Sequence, residues 1–480
     1  MKKIVLIYDN TVQADSRVRT IIGRKSFGEI ILKRKTMATR IKEAIKDSGS
    51  KIIFQIVNKK DDFEKAKQYS ENTTFFHLLS SAAIFSRQEV NIFLKKLEFV
   101  NETTVIRKNN ITFGAVFASK TEYLKFIQEY EEQGNIDFVN GDKIELDLFV
   151  DISDYNNLLT YISGGFDARY FNSLEGDNFT VTKRSSDKKK MKMEYSYYWL
   201  LPERMKSFMV MPYDYQEGED WASYTMERMP MTDIAIRWTH GAIDAEEFRR
   251  ILDRTFYFFK SRETREVSLR DYNKIADELY LKKLEERTKK LKSLQQYKQL
   301  NVLISSGTNY GDFDEIINEY KRLYGSITKR FLKQKHYYSV IGHGDVFFAN
   351  MLYSKETNLL RLIDPKGALE EEDLWTDPYY DIAKLSHSIC GNYDFFNTGS
   401  YDIILNKDMQ YSLNIHTDNR PYVAIFKEYL EANNMSYELV RLYESSLFLS
   451  MLPLHIDNPH KVFGFILNAI SILEEIKEYV

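Results

Sequence analysis

Along the first 145 or so residues, short apolar runs alternate with segments whose apolar residues recur at helical spacing. "KIVLIYD", "KIIFQIVN", "TTFFHLLSSAAIF" and "ITFGAVFAS" read as buried strands. Between them, "TMATRIKEAIKDSG", "RQEVNIFLKKLEF" and "KTEYLKFIQEYEEQ" predict amphipathic helices, the first stopped by Gly49. "DDFEKAKQYSEN" predicts a polar helix opened by Asp61 or Asp62 as its cap. Strands and helices in alternation imply an α/β layer around a mostly parallel sheet. The Gly and Asn residues of "EQGNIDFVNGDKIE" end this first domain, which is expected over residues 1–148.

The rhythm then changes. Turn signals in "SGGFD" and "LEGDN" separate strand-like pieces, and "DKKKMKMEYSYYWLLPERM" predicts a helix stopped near Pro202. "SFMVMPYDYQ" and "WASYTMERM" add strands, so a small β-rich portion is expected over 149–240. After Asp244 nearly everything to about residue 335 reads as helix, and helices return toward the C-terminus. Residues 241–480 are therefore expected to form a large helical portion.

Composition narrows the class without naming it. With 480 residues, more than one core is expected, and 43% hydrophobic with 29% charged residues describes a soluble globular chain. A net charge of −3 gives no global reason to expect nucleic acid as a partner. The single cysteine, Cys390, excludes an intrachain disulfide framework and a multi-Cys zinc site, and fits a reducing compartment. The apolar run after Met1 is too short for a signal segment, and no run approaches the length of a membrane span. A cytoplasmic protein is expected.

The chemistry concentrates in "HGDVFFAN", followed by the hairpin-like "MLYSKETNLLRLID". Phosphoryl transfer from a nucleotide needs a carboxylate at the attacking hydroxyl, oxygen ligands for Mg²⁺ and a lysine at the other phosphates. Asp345, Asn350 five residues later, and Asp364 at the end of a strand could be brought to one site by such a hairpin. A lone Asp would better be read as a turn cap; the four residues His343, Asp345, Asn350 and Asp364 at these offsets make the catalytic reading the better one. The segment resembles the catalytic and metal-binding motifs of the aminoglycoside phosphotransferase and choline kinase family.

That resemblance extends over roughly residues 150–480 and implies an α+β, bilobal, protein-kinase-like fold with a large helical C-lobe. It implies ATP and Mg²⁺ as cofactors, Asp345 as the catalytic carboxylate, and Asn350 and Asp364 as the metal ligands. His343 belongs to the same catalytic loop, where it holds the loop through hydrogen bonds. "FTVTKRS" looks like the strand carrying the phosphate-contacting lysine, here Lys183, and Glu194 is its expected helix partner, ahead of Glu203. "ASYTMERMP" resembles the hinge strand, with the backbone from Glu227 to Met229 facing the adenine. "YISGGFDARYFN" sits where a phosphate-covering loop belongs, although it departs from the protein-kinase glycine pattern. "WTDPYYDIAKLSHSI" resembles a helix start in which Asp377 and Asp381 brace the catalytic loop.

The acceptor implied is a hydroxyl of a small molecule, a sugar or an amino alcohol. The acidic, aromatic "ALEEEDLWTDPYYD" would suit a cation, while its plainer reading is an exposed loop. The first domain resembles nucleotide-sugar nucleotidyltransferases in its alternation, but "YDNTVQADSRVR" lacks their glycines and "FFHLLSSAAIF" lacks their Asp. A degenerate domain with a structural or ligand-binding role is the expectation. By analogy, its fusion to a small-molecule kinase suggests surface polysaccharide biosynthesis. Two other readings stand beside the kinase: a pseudokinase-like scaffold that binds nucleotide or sugar nucleotide, and a kinase for a protein substrate.

Overall fold

In the first strand, Lys3–Asp9, Ile4, Leu6 and Tyr8 enter one hydrophobic core while Val5 and Ile7 enter another. A strand buried on both faces must lie inside a sheet covered on both sides. It does so here: Lys3–Asp9 pairs in parallel with Ile52–Val57 on one edge and Thr73–Leu79 on the other. The computed structural model describes residues 3–32, 34–162, 179–331 and 336–479, together with the backbone of 172–176. The chain divides into two units, Met1–Gly165 with His240–Ala242, and Phe166–Thr239 with Ile243–Val480.

The sheet of the first unit has six strands, in the order Ile52–Val57, Lys3–Asp9, Thr73–Leu79, Ile111–Phe117, Thr104–Lys108, Asp142–Glu145. Three of its pairings are parallel and two antiparallel. One of the antiparallel pairings has a local cause. Asn109 and Asn110 take φ of +50° and +67°, the two left-handed positions of a tight hairpin turn that folds Thr104–Lys108 back on Ile111–Phe117. Helices Met37–Ser48 and Arg87–Lys96 line one core, and Lys120–Gln133 lines the other. Thr36 caps the first of these through a hydrogen bond from the Thr39 N–H, and Gly49 ends it at φ +71°. The expected helix at "DDFEKAKQYSEN" is a 3-10 stretch, Lys60–Gln68. Neither Asp precedes it as a cap; the Asp62 carboxylate reaches back to the N–H groups of Asn58 and Lys59. Strand Phe149–Asp151 pairs with Ala82–Ile84, and helix Tyr155–Ile162 follows, so this unit runs beyond residue 148.

The second unit begins with a four-stranded antiparallel sheet, Asn172–Gly176, Thr180–Ser185, Ala222–Glu227 and Pro212–Glu217 in spatial order. Helix Lys188–Leu200, capped by Asp187, packs against it. Of the expected phosphate-covering loop, residues 163–171 lie outside the described residues. From Ala245 onward helices dominate, although strand Thr264–Val267 interrupts them to pair with Tyr337–Ile341. Met351–Ser354 and Leu359–Leu362 form the expected hairpin, turned at Asn358 with φ +51°. Helices Arg420–Ala432, Tyr437–Met451 and Pro459–Lys477 complete the core. Among the described residues, no helix is long and apolar enough to cross a membrane.

Candidate functional site

The strand Tyr337–Ile341 delivers the chain from the core into the loop that begins at Gly342. Val346 and Phe348 are fully buried, and the Phe348 N–H donates to Ser388 Oγ at 3.0 Å. The apolar "VFFA" thus anchors the loop from below and leaves the Asp345 side chain partly open to solvent. Asn350 Nδ2 donates to both the Asp345 carbonyl, at 3.0 Å, and Asp345 Oδ2, at 3.1 Å. Its amide nitrogen is thus committed to Asp345. The Asn350 carbonyl accepts from the Ile363 N–H at 3.0 Å, tying this loop to the residue before Asp364.

The loop is gripped from the helix Tyr380–Ile389. Buried Asp381 accepts the backbone N–H groups of His343, at 3.0 Å, and Gly344, at 2.7 Å, through its two carboxylate oxygens. Buried Arg262 donates to the same carboxylate at 3.3 Å and to the Pro378 carbonyl at 3.2 Å. Gly344 has φ +82°, and a Cβ there would stand 2.6 Å from Lys366 Cβ. A side chain is excluded on both counts. His343 is wholly buried, and its Nδ1 accepts from the Asp345 N–H at 3.3 Å. Burial holds its imidazole below the ordinary pKa against the pull of Asp381, Asp345 and Asp364. Asp377 is buried as well, but faces Tyr280, whose hydroxyl donates to it at 2.9 Å.

A second cluster forms at Lys183. Its Nζ lies 2.7 Å from Glu194 Oε2 and 2.9 Å from Asp364 Oδ1. Burial would favour loss of its proton, but Asp364 and Glu194 outweigh that and raise its pKa. Tyr224 OH also donates to Glu194 Oε2, at 3.0 Å. The helix that carries Glu194 is docked by Gly367, at φ +87°, where a Cβ would meet the Met193 carbonyl carbon at 2.6 Å. The next residue, Ala368, donates its N–H to the Met193 carbonyl at 3.0 Å. Asp364 itself has φ +55°, an uncommon conformation for a residue with a side chain, and it lies two residues after the strand Leu359–Leu362.

The residues singled out from the sequence thus fall into three places. Lys183, Glu194 and Asp364 meet; His343, Asp345 and Asn350 share one loop, joined to Asp364 through Ile363. Glu227 ends the strand Ala222–Glu227 and Met229 lies just beyond it, half-buried; neither touches these groups. Glu203 is exposed and pairs with Lys206. The acidic "EEED" turn is partly committed: Arg265 pairs with Glu372 and lies over Trp375, and Asp373 accepts the N–H groups of Leu369 and Glu370.

Sequence reasoning missed Lys384. Its Nζ stands 2.9 Å from Asp345 Oδ1, and Asp345 outweighs burial to push its pKa up. The signal was present, since Lys384 follows Asp381 by three residues and lies one helical turn along the same face. Arg262, the partner of Asp381, has no local sequence signal at all.

The side-chain oxygens of Asn350 and Asp364 are of the kind that could hold Mg²⁺, which accepts one or two protein oxygens and completes its shell with water and phosphate. No family model and no curated protein matches the chain. Solved structures do. The apo form of a thermostable mutant of aminoglycoside phosphotransferase APH(4)-Ia is 11% identical with a TM-score of 0.36, covering 64% of this chain and 92% of that chain. An ethanolamine kinase of Plasmodium vivax is 12% identical with a TM-score of 0.37, covering 64% and 79%. Aminoglycoside phosphotransferase APH(3'')-Id of Streptomyces rimosus, in complex with ADP and streptomycin, is 14% identical with a TM-score of 0.32, covering 64% and 98%.

Proposed function

We propose that the second unit is an ATP- and Mg²⁺-dependent phosphotransferase acting on a hydroxyl of a small molecule. The observation that carries this reading is the Lys183 ammonium held between buried Glu194 and Asp364, with Asp364 joined through Ile363 to the loop of Asp345 and Asn350. A cation for the nucleotide phosphates, two oxygen ligands for the metal and a partly exposed carboxylate for the acceptor are the parts this reaction needs.

In this reading Asp345 orients the acceptor hydroxyl and takes its proton. The acceptor oxygen bonds to the γ-phosphorus, the bond from that phosphorus to the oxygen of the β-phosphate breaks, and ADP leaves. Lys183 holds the non-transferred phosphates, and Glu194 fixes the lysine. Asn350 and Asp364 would hold Mg²⁺, which when bound neutralises charge on the phosphates. Asp381 and Arg262 hold the backbone of the loop, and His343 frames it. The backbone from Glu227 to Met229 would face the adenine, at the free end of its strand. The intact set of residues favours a kinase over a pseudokinase-like scaffold. The protein would work in the cytoplasm, in keeping with its one buried thiol, Cys390. The pairing with an α/β unit suggests a step in making a surface polysaccharide.

The test is ATP consumption with Mg²⁺ across a panel of sugars, sugar derivatives and amino alcohols, with the product identified by mass spectrometry. Product heavier by one phosphoryl group supports the reading. Binding of Mg-ATP without turnover of any hydroxyl compound overturns it in favour of the scaffold.

A further inference from the structure

Around Asp345 the acids are already matched, and lysines remain. Asp364 and Glu194 share Lys183, Asp381 has Arg262, and Asp345 has Lys384 at 2.9 Å. Two further lysines come from different elements to the residues around Asp345, one to Tyr380, a helical turn from Lys384, and one to Gly344. Lys283 opens the helix Lys283–Lys292 and donates to the Tyr380 hydroxyl at 3.0 Å. Lys366 packs its aliphatic chain over Gly344, next to Asp345, and its ammonium is exposed. Tyr380 senses all three. Burial alone would raise its pKa, yet Lys283, Lys384 and Lys366 together lower it. Glu370 and Glu371 are exposed on the turn after Lys366.

Resting on the kinase reading above, we infer that Lys283 and Lys366 form an anion-binding half of the acceptor site beside Asp345, so that the acceptor carries a carboxylate or a phosphate as well as its hydroxyl. A lysine pair is a point-charge binder of such groups. A neutral sugar would leave both ammonium groups without a counter-charge, and an amino alcohol would meet them with a like charge. The transfer is the one already written: the hydroxyl oxygen joins the γ-phosphorus, its proton goes to Asp345, and ADP leaves. The anionic group takes no part in bond-making and serves only to hold the hydroxyl against Asp345.

Four matched acceptors distinguish the cases: a hexose, its 2-amino derivative, the corresponding hexuronic acid and the hexose 6-phosphate, each with ATP and Mg²⁺. The expected result is turnover of the uronic acid or of the phosphate ester at least tenfold faster, in kcat/KM, than of the neutral or amino sugar; which of the two wins names the anion. In Lys283→Met and Lys366→Met, acceptor KM should rise at least tenfold with ATP KM unchanged, and Lys→Arg at either position should restore most of the loss. Calorimetric affinity for the hexose 6-phosphate should fall in parallel, a readout that does not depend on turnover. Equal or better turnover of the amino or neutral sugar overturns the inference while leaving the kinase reading intact. A rise confined to ATP KM overturns it in the same way, assigning the lysines to the nucleotide. If none of the four is turned over and the hexose 6-phosphate binds wild type and both Met variants alike, the inference fails without reference to the kinase. If Mg-ATP is not consumed with any hydroxyl compound, the kinase reading itself falls.

Discussion

Lys183 and Glu194 form an ion pair at 2.7 Å with both side chains almost wholly buried. Such a pair is a weak source of net stability, yet removing one partner leaves the other charge buried and alone. Lys183→Met is therefore expected to destabilise the second unit by about 3 kcal/mol, and Lys183→Met with Glu194→Met by clearly less. Urea unfolding of the three proteins measures this. A double variant less stable than Lys183→Met would show that the pair is not what the cost reflects.

Asp345 keeps its carboxylate through two donors, Asn350 and Lys384, and its carbonyl through Asn350 and the Phe347 N–H. Asparagine preserves the shape of the loop but cannot take a proton. Asp345→Asn should lower kcat by roughly 10³-fold, within the range seen for a lost general base. Nucleotide affinity, measured by calorimetry with Mg-ADP, should stay within about threefold, since Lys183 and Asp364 are untouched. Loss of nucleotide binding at unchanged stability would move Asp345 out of the acceptor's side of the site.

Gly344 offers a backbone test. At φ +82°, with Lys366 Cβ 2.6 Å from where its own Cβ would stand, alanine must either strain or push the Lys366 chain aside. Either response moves the N–H that Asp381 holds and, with it, Asp345. Gly344→Ala should cost about 1 kcal/mol or more in stability. It should lower kcat on the order of 10- to 100-fold, the penalty for misplacing a reacting group by about an ångström. Rates of wild-type speed in this variant would show that the loop has room to spare.

How much of this could be read from the chain alone depends on the range of the interaction. Lys183, Glu194, Asp345, Asn350 and Asp364 stand out in the sequence because the short segments around them resemble a family's motifs, and folding brings Lys183, Glu194 and Asp364 together. The α/β alternation of the first unit was legible through the two-sided burial of strands such as Lys3–Asp9. What escaped was long-range or subtle. Arg262 meets Asp381 across 119 positions of sequence, and nothing near Arg262 announces it. The strand Thr104–Lys108 hides behind polar residues, and its left-handed Asn109–Asn110 turn is what makes its pairing with Ile111–Phe117 antiparallel. Lys283 and Lys366 carry no local sequence signal, and folding brings them to Tyr380 and Gly344.

The pH dependence of stability should carry the mark of Asp394 and Asp377, beside Asp233, which burial also raises to about 7. Burial raises Asp394 from 3.8 to about 7 and Asp377 to about 6. The sign follows from which state holds the proton. Below pH 4 both groups are protonated in the folded and the unfolded chain, and their contribution is complete. Between pH 4 and the folded values, the folded protein binds protons that the unfolded chain has released, so stability falls as pH rises. The slope is on the order of 1.4 kcal/mol per pH unit for each such group, ending near pH 6 for Asp377 and near pH 7 for Asp394. Asp394→Asn cannot ionise, so its share of the slope should vanish. Measured by urea unfolding at pH 5, 6, 7 and 8, the variant should approach or overtake wild type as pH rises, with the gap constant above pH 7. Curves that stay parallel from pH 5 to 7 would show that Asp394 is ionised in the folded protein, and that a cation or a donor must reach it there.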